Sequence, residues 1–337
     1  MSGRTKPRPD LNKAVSIDCR LREGRCPVTV IEQGWSSAIP VAELSEKTAS
    51  HPAYRAFFEE LPRLGYVEGR NLIIERFSGG GRAEYYPELV RDVLRRNPDV
   101  IFAEGNQMLT VFKAATSTIP IVGSATDPVG SGIVPSLARP GGNITGISPH
   151  YDISIWSKRV ELLREVTPKA SRVALLASRY AWETHPLGAA VREAAEEKGM
   201  SLIGPPLNAP YNEAEYRRVL ALMMQDGAEA LIVGDLPETL MNRRLIVEIV
   251  EKGRLPAIYP WHEFVEVGGL MAYGTDLADL GRHAAHQIDL ILKGMKPGDI
   301  PFYQPKTMKL TINLKTAKAL GLTVPNELLA TADEVIE

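Results

Sequence analysis

Cysteine is scarce in this chain. Its 337 residues hold two cysteines, Cys19 and Cys26, and six histidines. The cysteine spacing is not C-x-x-C, and no cluster of His or Cys stands nearby to complete a metal site. A disulfide between the two stays open, and a pair of plain thiols in a loose N-terminal arm is the preferred reading. Long apolar runs are also lacking. None approaches the roughly 20 residues a bilayer span needs. Charge of one sign is lacking too, because 39 Lys and Arg face 41 Asp and Glu. The electrostatic footprint of a nucleic-acid or membrane surface is therefore missing, and no nucleic-acid partner is expected.

The usual catalytic and cofactor motifs are missing as well. A dinucleotide fold needs G-x-G-x-x-G after its first strand, and "QGWSSAIP" stands there instead. "SGGGRAEYY" (78–86) is glycine-rich but lacks the GK[ST] of a phosphate-binding loop, and reads as a turn. "SATDP" (124–128) is not the G-x-S-x-G of a nucleophile elbow. The histidines are scattered. Only His283 and His286 fall within one helical turn, which reads as a solvated helix face. No cofactor and no metal are expected.

What is present is a repeating alternation. Short apolar runs, among them "VTVIEQ", "NLIIERF", "DVIFAEG", "IPIVGS", "RVALLAS", "AEALIVG" and "LPAIYP", read as strands. Amphipathic stretches between them read as helices, among them "HPAYRAFFEELPRLG", "YYPELVRDVLRRN", "IWSKRVELLREVTP", "NEAEYRRVLALMMQDG" and "PETLMNRRLIVEIVEKG". The stretch "GIVPSLARPGGNITGI" reads as a short helix, a turn and a strand. Strands of this kind joined by helices predict an α/β chain with parallel sheets covered on both faces. The series runs once, breaks near "SPHYDIS" (148–154), and restarts, which predicts two doubly wound lobes. Residues 1–27 read as a poorly ordered arm.

In open parallel sheets, ligands bind beyond the carboxyl ends of the strands. Those ends are rich in Ser, Thr, Asn, Asp, Gly and aromatics, which suit a polar small molecule with a flat or apolar part. Many such residues also serve as helix caps. "WHE" (261–263) offers His262 and Glu263 for acid–base work, but no nucleophile stands beside them.

Several longer stretches carry a resemblance. "SLARPGGNITG", "LPAIYPWHEFVEVGGLMAYGTDL" and "INLKTAKALGLTVPNELLATADEVIE" closely resemble the ABC-transporter substrate-binding protein family that includes tryptophan-binding lipoproteins. The resemblance runs from about Val28 to Glu337. It implies a type I periplasmic-binding-protein fold, with two Rossmann-like lobes joined by crossing segments that act as a hinge. The lobes would comprise 28–148 with about 276–305, and 149–275 with about 306–337. The implied partners are a small-molecule ligand and an ABC permease, with the receptor working as a monomer and catalysing nothing.

Carried onto this sequence, the implied cleft residues are Gly34, Trp35, Ser36, Asn106, Gln107, Ser124, Thr126 and Asp127 from one lobe. From the other they are Arg179, Tyr180, Asp235, Tyr259, Trp261 and Tyr273. An amino acid or another aromatic or carboxylate-bearing solute would fit. Asp127 or Asp235 would pair the amine, helix N-terminal amides the carboxylate, and Trp35, Tyr180 or Trp261 would stack on the rest.

The N-terminus departs from the family pattern. Family members begin with an export signal and work in the periplasm or outside the cell, whereas "KAVSIDC" is interrupted by Lys13, Ser16 and Asp18. A misplaced start is the preferred reading, and a cytosolic location is the other. Three rivals stand beside the receptor: a sensor of the same fold signalling to a partner protein, a hydrolase-like enzyme using His262, Glu263 or Asp127, and a repressor. The last would need a DNA-binding headpiece of about 50 residues before Val28, longer than the arm present.

Overall fold

The computed structural model describes residues 37–42, 51–78, 83–149, 154–183 and 186–337. The arm 1–27, the strand expected at 28–33, both cysteines and the candidates Gly34, Trp35 and Ser36 lie outside the described residues.

The first half of the chain forms a five-stranded parallel sheet in the order β2-β1-β3-β4-β5. Its strands are β1 (Ser37–Ala42), β2 (Leu72–Phe77), β3 (Ile101–Glu104), β4 (Ile121–Ser124) and β5 (Ile144–Ile147). The apolar runs of β3, β4 and β5 bury both faces, as a covered parallel sheet requires. On one face lie α2 (Tyr86–Arg95) and α3 (Asn106–Ala115), whose Val93, Met108 and Phe112 are fully buried against Ile101 and Ile121. On the other face lies α1 (Pro52–Arg63), started by Pro52 behind the N-cap His51, with Phe57 stacked on Phe102.

The second half forms a seven-stranded sheet in the order β12-β11-β10-β9-β8-β6-β7. These strands are β6 (Arg172–Leu176), β7 (Ser201–Ile203), β8 (Ala230–Val233), β9 (Ala257–Tyr259), β10 (Met271–Gly274), β11 (Lys309–Asn313) and β12 (Glu334–Ile336). One face carries α4 (Ser154–Val166) and α6 (Pro186–Glu197). The other carries α7 (Glu213–Gln225), α8 (Pro237–Met241), α9 (Arg243–Lys252) and α10 (His262–Val265). Shorter helices α5 (Arg179–Glu183), α12 (Leu314–Leu320) and α13 (Asn326–Thr331) complete the set.

Three chain segments cross between the sheets, and their ends fix the layout. The first leaves β5 at Ile147 for α4. The second leaves β10 at Gly274 and enters α11 (Leu277–Leu292), capped by Asp276. That helix lies on the first sheet. Gln287 Nε2 donates to Gly146 O at 2.8 Å, and Tyr66 Oη donates to Asp289 Oδ1 at 3.0 Å. The third passes Tyr303, whose N–H donates to Gly146 O and whose carbonyl accepts from Ser148 N. It re-enters the second sheet at Lys309, opposite Gly274. Because the return arrives beside the carboxyl end of β10, β11 runs antiparallel to it, while the remaining pairs of that sheet are parallel. All three crossings join the carboxyl end of β5 to the carboxyl end of β10 or to elements adjoining it.

The architecture agrees with the expected α/β class of two doubly wound parallel sheets and differs in detail. The first described strand is Ser37–Ala42. Pro40 explains why "SAIPVA" read poorly as a strand. Pairing with β3 begins only at Val41, so the missing N–H costs that ladder nothing. The short helix expected in "GIVPSLARPGG" is absent; the stretch runs as turns and bends into β5, as its prolines favour. The single helix expected over 237–253 is two, broken at Asn242, whose Nδ2 donates to Glu238 O.

Candidate functional site

On the first sheet, the loop after β4 is laced to the start of α3. Gly105 takes φ +91°, a conformation glycine adopts freely, and turns the chain from β3 into the helix. Asn106 then spans the gap. Its Nδ2 donates to Thr126 O at 2.7 Å and to Ser131 Oγ at 2.6 Å, and its Oδ1 accepts from Thr126 N at 3.0 Å. Asp127 sits at φ +44°, and its Oδ1 accepts from Gly130 N at 2.9 Å. Asn106 and Asp127 thus spend their polar groups building the loop, while Gln107 and Thr126 are exposed along it and Ser124 is half-buried at the strand end. No side chain caps the N-terminus of α3, which leaves its first N–H groups for an anion.

A second group joins this wall to α1. Tyr54 Oη donates to the Glu104 carboxylate at the end of β3. His51, one turn earlier, accepts from Ala53 N at 3.3 Å through Nδ1. Burial, with the Arg243 charge second, pulls the His51 imidazole down to about 4. Arg243 starts α9 on the second sheet.

On the second sheet the central feature is a buried ion pair that sequence reading half found. Arg159 of α4 is 1% exposed. Its Nη1 donates to Asp235 Oδ1 at 2.7 Å, its Nε donates to Tyr273 O at 2.8 Å, and its guanidinium lies 4.4 Å from the Trp156 ring. Asp235 follows β8. Burial pushes its carboxyl up, against the opposing pull of Arg159. Its other oxygen, Oδ2, is buried with no hydrogen-bonding partner. The structure therefore brings Asp235 and Tyr273 together through Arg159. Sequence reading missed Arg159, and the available signal was its spacing. Ile155, Trp156, Arg159, Val160 and Leu163 share one buried helix face, and a charge at such a position demands a partner.

The remaining candidates are placed differently. Arg179 is exposed, pairs with Glu183 and donates to Asn208 Oδ1. Tyr180 exposes 64% of its surface. Trp261 is buried and stacks near Phe264. Tyr259 is 1% exposed and stacks on Phe264 with ring centroids 4.9 Å apart, on the face covered by α9. His262 lies 3.5 Å from Glu263 Oε2 and 3.5 Å from Glu266 Oε1. Burial pushes the Glu263 carboxyl up. No hydrogen bond joins this pair to a hydroxyl or thiol among the described residues, and these residues hold no cluster of three or more metal-ligating side chains. No described helix is long and apolar enough to cross a membrane.

Comparison with known proteins places this arrangement. A sequence model of a family described as ABC transporter substrate binding protein matches residues 38–336. A tyrosine-binding protein of Clostridioides difficile (strain R20291) is 25% identical over 288 residues, which is 84% of this chain and 81% of that protein. The structure of an ABC domain in complex with L-Trp from Streptococcus pneumonia superposes with a TM-score of 0.73 at 25% identity. It covers 89% of this chain and 99% of its own. A conserved domain protein from Vibrio cholerae gives a TM-score of 0.74 at 24% identity, with the same coverage, and shares the fold.

Proposed function

This chain belongs to the ABC transporter substrate-binding protein family, and from that premise we propose that it is the solute receptor of an ABC importer. It binds an amino acid with an aromatic or apolar side chain between its two lobes and closes on it by a hinge, without chemistry. The lobes are the two sheets with their helices, 28–148 with about 276–305, and 149–275 with about 306–337. The observation that supports the reading most is the set of three crossings, which sets the carboxyl ends of two parallel sheets against each other.

The roles follow from the geometry. The unpartnered Asp235 Oδ2 accepts a hydrogen bond from the ligand ammonium, while Arg159 holds the other oxygen. The uncapped N-terminus of α3 takes the ligand carboxylate, with Gln107, Ser124 and Thr126 beside it. Asn106 and Asp127 hold that loop in shape, and Tyr180 supplies an exposed ring. The family premise supports a receptor that works outside the inner membrane and delivers to a permease. The nature of the similar proteins supports an amino acid as ligand, since one is a tyrosine-binding protein and another is in complex with L-Trp.

Calorimetric titration with L-tyrosine and L-tryptophan tests this reading. It predicts saturable one-to-one binding and recovery of the ligand unchanged. Asp235→Asn should weaken binding by about tenfold or more, the loss of a charge-assisted hydrogen bond. Turnover of the ligand, or no binding across the amino acids, would contradict it.

A further inference from the structure

A cavity of about 380 Å³ lies in the second sheet's half of the molecule, away from the proposed cleft. Its origin is topological. Because β11 runs antiparallel to β10, α12 leaves at the amino-terminal edge of that sheet. Helix α9 also ends at this edge, where the chain turns through Arg254 and Leu255 into β9. The cavity fills the angle between the two helices, beneath the starts of β9 and β10. Its walls are apolar: Val247, Val250, Leu255 and Leu270.

Polar groups stand at defined places in it. Tyr259 lines the cavity, and its hydroxyl makes no hydrogen bond to any described residue. The charge of Glu251, another lining residue, acts on that hydroxyl. Arg254 and Lys315 are exposed and line the cavity too, and none of these three charged groups forms an ion pair with a described residue. Two cations against one anion leave a net positive site. Arg254 adopts φ +50° just beyond the end of α9, where glycine is the usual residue, and its Nη2 donates to Ala319 O at 3.0 Å. The guanidinium is thereby fixed from one helix end to the other.

We propose that this cavity is a second small-molecule site, which takes an apolar monocarboxylate with a hydrogen-bonding group at its far end. The carboxylate meets Arg254 and Lys315, the apolar body lies on the four aliphatic walls, and the far group meets the Tyr259 hydroxyl. At roughly 30 Å³ per water-sized volume, the cavity holds on the order of a dozen heavy atoms, the size of a hydroxyaryl alkanoate. The cavity stands independently of the cleft reading.

The test is calorimetric titration of the full chain with 4-(4-hydroxyphenyl)butanoate, alone and in the presence of saturating L-tyrosine. The site predicts one-to-one binding that L-tyrosine does not displace. Arg254→Gly with Lys315→Gln should weaken it by about tenfold, and the amide of the same compound should bind correspondingly worse. Arg254→Gly removes the guanidinium while relieving the left-handed backbone, so loss of binding is not loss of folding. Ala319→Trp, on an exposed helix position, should fill the mouth, abolish binding of the probe and leave L-tyrosine binding unchanged. No binding of the probe, displacement by L-tyrosine, equal binding of the amide, or unaltered binding in Ala319→Trp would each overturn the proposal.

Discussion

Arg159 and Asp235 show what a single buried charge demands. Both are nearly inaccessible, at 1% and 8% side-chain exposure, and they meet at 2.7 Å. Removing one partner leaves the other buried and uncompensated, which costs about 3–5 kcal/mol, whereas replacing both with apolar residues costs much less. Arg159→Met should therefore lower the unfolding free energy by about that amount, and Arg159→Met with Asp235→Leu should recover most of it. Urea denaturation of the four members of the cycle measures both, and a single variant costing under about 1 kcal/mol would refute the pairing as described. His51 makes a pH-dependent prediction. Its unfolded form takes up a proton near 6.5, and its folded form does so only near 4. Between these values the unfolded chain binds more protons, so the His51 contribution is intact above 6.5 and declines as pH falls toward 4. The decline is at most about 3 kcal/mol. His51→Asn keeps an N-cap oxygen for α1, and should remove that part of the slope between pH 7 and pH 4.

At the scale of elements, α11 is the piece of the later chain that packs on the first sheet. Its Gly281 lies so close to α1 that an added Cβ would stand 1.9 Å from Ala53 O. Gly281→Ala should push the helices apart and cost about 1–3 kcal/mol, measurable as a lowered thermal midpoint. An unchanged midpoint would mean that the two helices do not meet as described. The helix itself was legible from Asp276 and the amphipathic run that follows it. Its destination came from the family resemblance, which assigned about 276–305 to the first lobe, because an apolar stripe has the same pattern whichever sheet it covers. The parallel strands were legible as short apolar runs, and β1 was not, because Pro40 masks it. The site was half legible for a related reason. Asp235 stands at a strand end, where the topology rule points, but Arg159 reaches it from the middle of a helix. Tyr259 stands near a strand end too, yet its ring turns into the layer under α9, and side-chain direction is not written in strand position.

For the whole molecule, the proposed function makes one claim: the ligand sits between the two sheets, and binding brings their carboxyl edges together. A ligand held within one lobe would leave the overall shape unchanged, whereas a ligand held between the lobes draws them together. Solution X-ray scattering of the purified chain, with and without saturating L-tyrosine or L-tryptophan, separates these cases. The account predicts a smaller radius of gyration with ligand bound. An unchanged radius at a ligand concentration shown by calorimetry to saturate the protein would contradict it.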